Sequence, residues 1–133
     1  MAEKIVLELS REHAEVVQDA CELLMRMKLG QTTFPTELML GGLGGIGKYD
    51  VNEFCMRRDA ANDVLRAFLR ITGNKEGCEK DKVENMAYEV FGTIRHALFM
   101  DRNPDGDNSW SVASQPPLAE SGLPMPKCKV VDG

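Results

Sequence analysis

Residues 4–17 read Lys4-Ile5-Val6-Leu7-Glu8-Leu9-Ser10-Arg11-Glu12-His13-Ala14-Glu15-Val16-Val17, and the place where extended chain gives way to helix here decides the fold class. Ile5, Leu7 and Leu9 recur at every second position, the period of a half-buried strand, although Val6 on the other side weakens the alternation. Ser10 then stands where an N-cap belongs, and Glu12 follows in the first turn, where a carboxylate favours the helix dipole. Beyond it the period changes. Val16, Val17, Ala20, Cys21, Leu23, Leu24 and Met27 repeat at helical spacing, with Glu15, Gln18, Asp19, Glu22 and Arg26 on the opposite face. Gly30 supplies the C-terminal stop, so the pattern predicts a strand over 4–9 and an amphipathic helix over 11–29.

Two more helices are legible. Asp50 with Glu53 three residues later has the form of a capping box, and Val51, Phe54, Ala61, Val64, Leu65, Phe68 and Ile71 give an apolar stripe that Gly73 ends. Val83, Met86, Ala87, Val90, Ile94, Ala97 and Leu98 share one face of a helix over about 80–101. Residues 31–48 contain Pro35 and five glycines between 41 and 47, which break regular structure, and 36–40 fit a short helix or a strand. Asn103-Pro104-Asp105-Gly106 is a type I turn signal. Ser109-Trp110-Ser111-Val112 alternates as a second strand. Residues 115–133, rich in proline, form an extended coat in which Lys127-Cys128-Lys129-Val130-Val131 can pair at a sheet edge. The expected architecture is therefore α+β: three amphipathic helices packed on a small two- or three-stranded antiparallel sheet. The first strand pairs with 109–113, and residues 1–133 form one domain at roughly 100–200 residues per domain.

Composition narrows the function. Sixteen Lys and Arg against 21 Asp and Glu leave a net charge of −5, which opposes a general nucleic-acid coat protein. Hydrophobic content of 43% argues against a disordered chain. No apolar run approaches the ~18 residues of a membrane span, and the N-terminus lacks a signal-peptide pattern. Cys21, Cys55, Cys78 and Cys128 show no zinc-ligand spacing and are expected as free thiols of a reducing, cytoplasmic compartment.

Gly42-Leu43-Gly44-Gly45-Ile46-Gly47-Lys48 fits the first seven positions of a phosphate-binding P-loop. The eighth position is Tyr49 rather than the Ser or Thr that holds magnesium, and Ala97-Leu98-Phe99-Met100-Asp101 mimics a Walker B strand only by continuing a helical pattern. A packed glycine loop is the plainer alternative. Asn103, Asp105, Asp107 and Asn108 miss the calcium-loop spacing. Arg57-Arg58 reads as a solvated spot. No full catalytic constellation is present, and neither His13 nor His96 has metal-ligand partners at close spacing.

The informative surface lies on the last helix. At about 100° per residue, Tyr88, Arg95, Phe99 and Arg102 fall together, roughly 120° from the stripe centred on Val90 and Ile94. Arginine forks grip phosphate or carboxylate in two bonds, and aromatic rings stack bases or anchor interfaces. A nucleotide pocket and a protein interface both fit, as does a plain solvated face with Phe99 added to the core.

Ile94-Arg95-His96-Ala97-Leu98, Asp101-Arg102-Asn103-Pro104-Asp105-Gly106, Pro117-Leu118, Ser121-Gly122 and Pro124-Met125-Pro126-Lys127 together resemble a motif of small proteins encoded by bacteriophages and prophages. The opening Leu7-Glu8-Leu9 segment and the helix ending at Leu29-Gly30-Gln31 are similar too, so the likeness covers both ends. Phe99-Met100 departs from it where a Trp before the Asp is expected. The resemblance implies a phage accessory protein acting in the bacterial host cytoplasm against host defence. In that context the chain is expected to be a nonenzymatic binder, without cofactor or metal, that sequesters a small nucleotide immune signal. Arg95 and Arg102 would hold phosphates, Tyr88, Phe99 or Trp110 would stack a base, and His96 and Asn103 would add polar contacts. A homo-oligomer completing the pocket is expected. The alternative is an inhibitor or adaptor docking a host or phage protein through the same surface.

Overall fold

The structure is a computed structural model that describes residues 3–41, 49–72, 82–105 and 111–132. Among the described residues four helices follow in order: α1 (Arg11–Lys28), α2 (Thr33–Met39), α3 (Val51–Thr72) and α4 (Lys82–Arg102), then a short 3-10 turn over Val112–Ser114. The helix starts follow the sequence signals. Ser10 Oγ accepts from the His13 N–H at 3.2 Å, and Asp50 Oδ1 accepts from the Glu53 N–H at 2.8 Å. α1 ends in a Schellman motif: Gln31 N–H donates to Arg26 O, Gly30 N–H donates to Met27 O, and Gly30 adopts the required left-handed φ of 74°.

The fold is helical, not α+β. No strand and no sheet exist among the described residues. Residues 3–10 have no regular secondary structure and are solvent-exposed, with Ile5 93%, Val6 92% and Leu7 70% accessible. Their expected partner does not form a ladder. Ser111 Oγ accepts from Ala113 N–H, and Ser114 Oγ donates to Ser111 O at 2.7 Å. These local hydroxyl bonds close the chain into a 3-10 turn and take up groups that a strand ladder would need. Residues 109 and 110 lie outside the described residues. Lys127–Val131 has no regular secondary structure and is not paired as a strand.

α1 and α4 form the main helix pair and run antiparallel. Arg11 pairs with Asp101, and Arg102 with Glu15 at 2.8 Å, tying the start of α1 to the end of α4. At the other end Met25 packs with Ala87 and Phe91, bordered by Cys21, Leu29 and Tyr88. This contact turns α1 away from its expected orientation. Met25 is buried, whereas Val16, Leu24 and Met27 of the apolar stripe are exposed. On α4 the buried positions are Glu84, Ala87, Glu89, Phe91, Gly92, Ile94 and Leu98, so Phe91 and two glutamates join the core that the stripe alone did not contain. The short helix α2 bridges α1 and α3. Buried Thr36 stands 2.8 Å from Thr32 O and 2.7 Å from the Asn62 side-chain amide, which joins α2 to α3. A hydroxyl has one proton, so both contacts are satisfied only when Asn62 turns its NH₂ to donate.

The C-terminal segment lies along α4 as a strap. A Cβ on Gly92 would stand 2.6 Å from the Pro117 Cβ, a rigid ring atom. Gly92→Ala is therefore expected to push the strap off this point and lower stability by about 1–3 kcal/mol, the usual cost of overpacking. A denaturant midpoint indistinguishable from the parent would refute the close approach.

Candidate functional site

A cleft of about 460 Å³ opens between α1 and α4, within the usual range for small-molecule sites. Its walls carry Glu15, Gln18 and Asp19 from α1, and Arg95, Leu98, Phe99 and Arg102 from α4, with Asn103 and Ala113 at the margin. Four of the seven sequence-derived candidates, Arg95, Phe99, Arg102 and Asn103, thus share one cleft.

Their roles differ in detail. The Arg95 guanidinium lies over the Phe91 ring, 4.6 Å from its centroid. The Arg95 Nε is buried and has no hydrogen-bond acceptor. A buried N–H without an acceptor is costly, and a turn of the Arg95 side chain into the cleft would let an anion there supply one. Arg102 is more exposed and its Nη2 already donates to Glu15. Asn103 Nδ2 donates to Phe99 O at 3.0 Å and caps the last turn of α4.

Three candidates fall elsewhere. Tyr88 packs at the edge of the Met25–Ala87–Phe91 cluster, away from the cleft. His96 does not line the cleft but reaches Ala113 at its margin. Its Nδ1 is 2.9 Å from Ala113 O, and because a carbonyl only accepts, Nδ1 carries the proton there. The ring therefore anchors the 3-10 turn, and it lines a second, largely apolar groove of about 610 Å³ under Pro116, Pro117 and Met125. Trp110 lies outside the described residues, as does the glycine-rich stretch 42–48. Tyr49, just beyond that stretch, is described: the Arg57 guanidinium sits 4.7 Å from its ring centroid. Residues 97–101 are helical within α4, which removes the Walker B resemblance.

The sequence did not reveal the carboxylates. Glu15 and Asp19 enter the cleft because α1 docks through its Arg11, Ala14, Gln18, Cys21 and Met25 side, not through its most apolar side. The cleft therefore offers both signs of charge. Its arginine edge suits a phosphate or carboxylate, and its carboxylate edge accepts from hydroxyl or amino groups.

Among the described residues no three His, Cys, Asp or Glu side chains converge as a metal site, and no helix is long and apolar enough to cross a membrane. Cys21, Cys55 and Cys128 are free thiols, and burial raises the Cys21 pKa. Comparison with protein-family models, with curated proteins and with solved structures finds no match to this chain.

Proposed function

We propose that this chain is a nonenzymatic binding protein that takes a small nucleotide in the α1–α4 cleft and holds it out of circulation. The observation that carries this is a cleft whose α4 wall brings two arginines, Arg95 and Arg102, beside the Phe99 ring. A phosphate would accept from Arg95. Phe99 offers a face for a base, and Glu15 and Asp19 accept from ribose hydroxyls. Arg102 would exchange part of its contact with Glu15 for the phosphate. Two carboxylates nearby favour a ligand with few negative charges, such as a cyclic or monophosphate nucleotide, over a triphosphate. The likeness of both chain ends to phage-encoded proteins supports a counter-defence setting, in which the ligand is a host immune signal in the bacterial cytoplasm.

A second reading has its own support. Val16, Leu24 and Met27 of α1 are exposed, and such a surface suits docking to a protein.

Isothermal titration with a panel of cyclic and linear mononucleotides tests the first reading. One member of the panel is expected to bind, and Arg95→Ala is expected to weaken it by about 10- to 150-fold, the worth of a charge-assisted hydrogen bond, with unchanged circular dichroism. Arg95→Lys is expected to restore little, because it lacks the planar fork. Silence across the panel, or equal binding by Arg95→Ala, would move the function to a protein target.

A further inference from the structure

The longest described helix, α3, carries one buried side and one exposed apolar side. One contains Phe54 and Asn62 and faces α2, the only helix α3 touches among the described residues. The other lies about 140° further round and contains Met56, Ala60, Val64, Ala67, Phe68 and Ile71. All six are exposed, with Met56 73%, Val64 69%, Phe68 57% and Ile71 84% accessible. Positions 60, 64, 67 and 71 follow the alternating 4-3-4 spacing of a helix–helix seam. A contiguous apolar stripe of this length on a helix of about 33 Å marks an interaction site.

We infer that this face of α3 pairs antiparallel with α3 of a second copy of the chain. Two features of the helix select that occupant. The first is charge. The flank beside the seam holds Asp59 and Asp63 in its N-terminal half and Arg66 and Arg70 in its C-terminal half, all exposed. In an antiparallel pair each flank meets its own copy in reverse, so Asp59 and Asp63 of one protomer come opposite the partner's Arg70 and Arg66. A parallel pair would instead set this flank against the partner's other flank, where Ala61 and Leu65 lie, and leave these charges unmatched. The second is size. Centred near residue 65, the antiparallel register sets Ala60 against the partner's Ile71 and Val64 against the partner's Ala67, small against large at each layer. The pairing is isologous and closes on itself. It leaves the α1–α4 cleft untouched and stands independently of the ligand proposed there.

Sedimentation equilibrium of the full chain tests this. The parent is expected at twice 14.8 kDa. Val64→Glu is expected at 14.8 kDa with unchanged helix content. Asp59→Arg with Asp63→Arg is expected to weaken the dimer by about tenfold or more, since it turns four attractive contacts repulsive. Adding Arg66→Asp and Arg70→Asp to the same chain is expected to recover the parent affinity to within about threefold, an outcome that a fold defect would not give. A monomeric parent at tens of micromolar, or a dimer indifferent to the charge reversal and its rescue, would overturn the inference.

Discussion

Glu89→Ala is expected to cost about 3 kcal/mol and to free residues 115–132 from α4, the cost of losing three hydrogen bonds to a charged group. Glu89 is 2% exposed and lies in the middle of α4. Its Oε1 accepts from the Glu120 and Ser121 N–H groups at 2.7 Å each, and its Oε2 accepts from the Ser121 hydroxyl at 2.7 Å. Burial by itself raises the carboxyl pKa. The backbone and hydroxyl bonds from Ser121, joined by the Glu120 N–H, outweigh it and hold the group below the ordinary carboxylate value. A folded-state pKa below the unfolded one means that the unfolded chain binds the proton more readily. This stabilisation is therefore complete above the unfolded pKa, near 4.3, and is lost as pH falls toward the folded pKa. Glu89→Gln keeps one oxygen for the two N–H groups, and its NH₂ can donate to the Ser121 hydroxyl. It is expected to lose about half as much as alanine and to lack this component of acid sensitivity. Urea unfolding between pH 3 and 7, with limited proteolysis of the strap, reads all three forms. Identical pH profiles for parent and Gln variant would contradict this role.

Phe91→Ala is expected to cost about 3–5 kcal/mol, the usual loss for a buried phenylalanine. Phe91 is 4% exposed and joins Met25 of α1 to Ala87 of α4. Few apolar side chains are buried among the described residues, so this cavity has few neighbours able to close it. Domains of this kind hold roughly 5–15 kcal/mol in all, and a large share would go with one ring. The same ring is the platform under the Arg95 guanidinium. Phe91→Leu separates the two roles. It keeps most of the apolar volume, so its stability loss is expected below about 1.5–2 kcal/mol. It removes the cation–π contact, so nucleotide binding is expected to fall out of proportion to stability. Equal chemical-denaturation midpoints for Phe91→Ala and the parent would show that Phe91 does not hold the helix pair.

The helices were legible because their signals are local. Ser10, Asp50 and Gly30 end or begin helices through bonds within a few residues, and those bonds form, although the Glu53 carboxylate accepts from Arg57 and so leaves the capping box half made. The sheet was not legible in the same way. Ile5, Leu7 and Leu9 have strand periodicity, but a strand exists only where another backbone offers its N–H and C=O groups. Ser111 and Ser114 spend those groups on a 3-10 turn. The candidate site was half legible. Arg95, Phe99 and Arg102 share a helix face by periodicity alone, and the structure sets them in one cleft with Asn103. Tyr88 and His96 lie on the same helix but are captured by the core and by Ala113 O.

Local sequence determined where three of the four described helices begin and end, and that Arg95, Phe99 and Arg102 share one face of α4. Which side of α1 meets α4, that Glu89 is buried under the strap, and that Glu15 and Asp19 line the cleft were decided only in the tertiary structure. The reason is physical. Caps and periodicity are set by neighbours three or four residues away, whereas a helix docks on whichever side gains most from all its partners at once. Cross-helix ion pairs at Arg11 and Arg102 and the fit of Met25 against Phe91 selected a side of α1 that its apolar stripe does not mark.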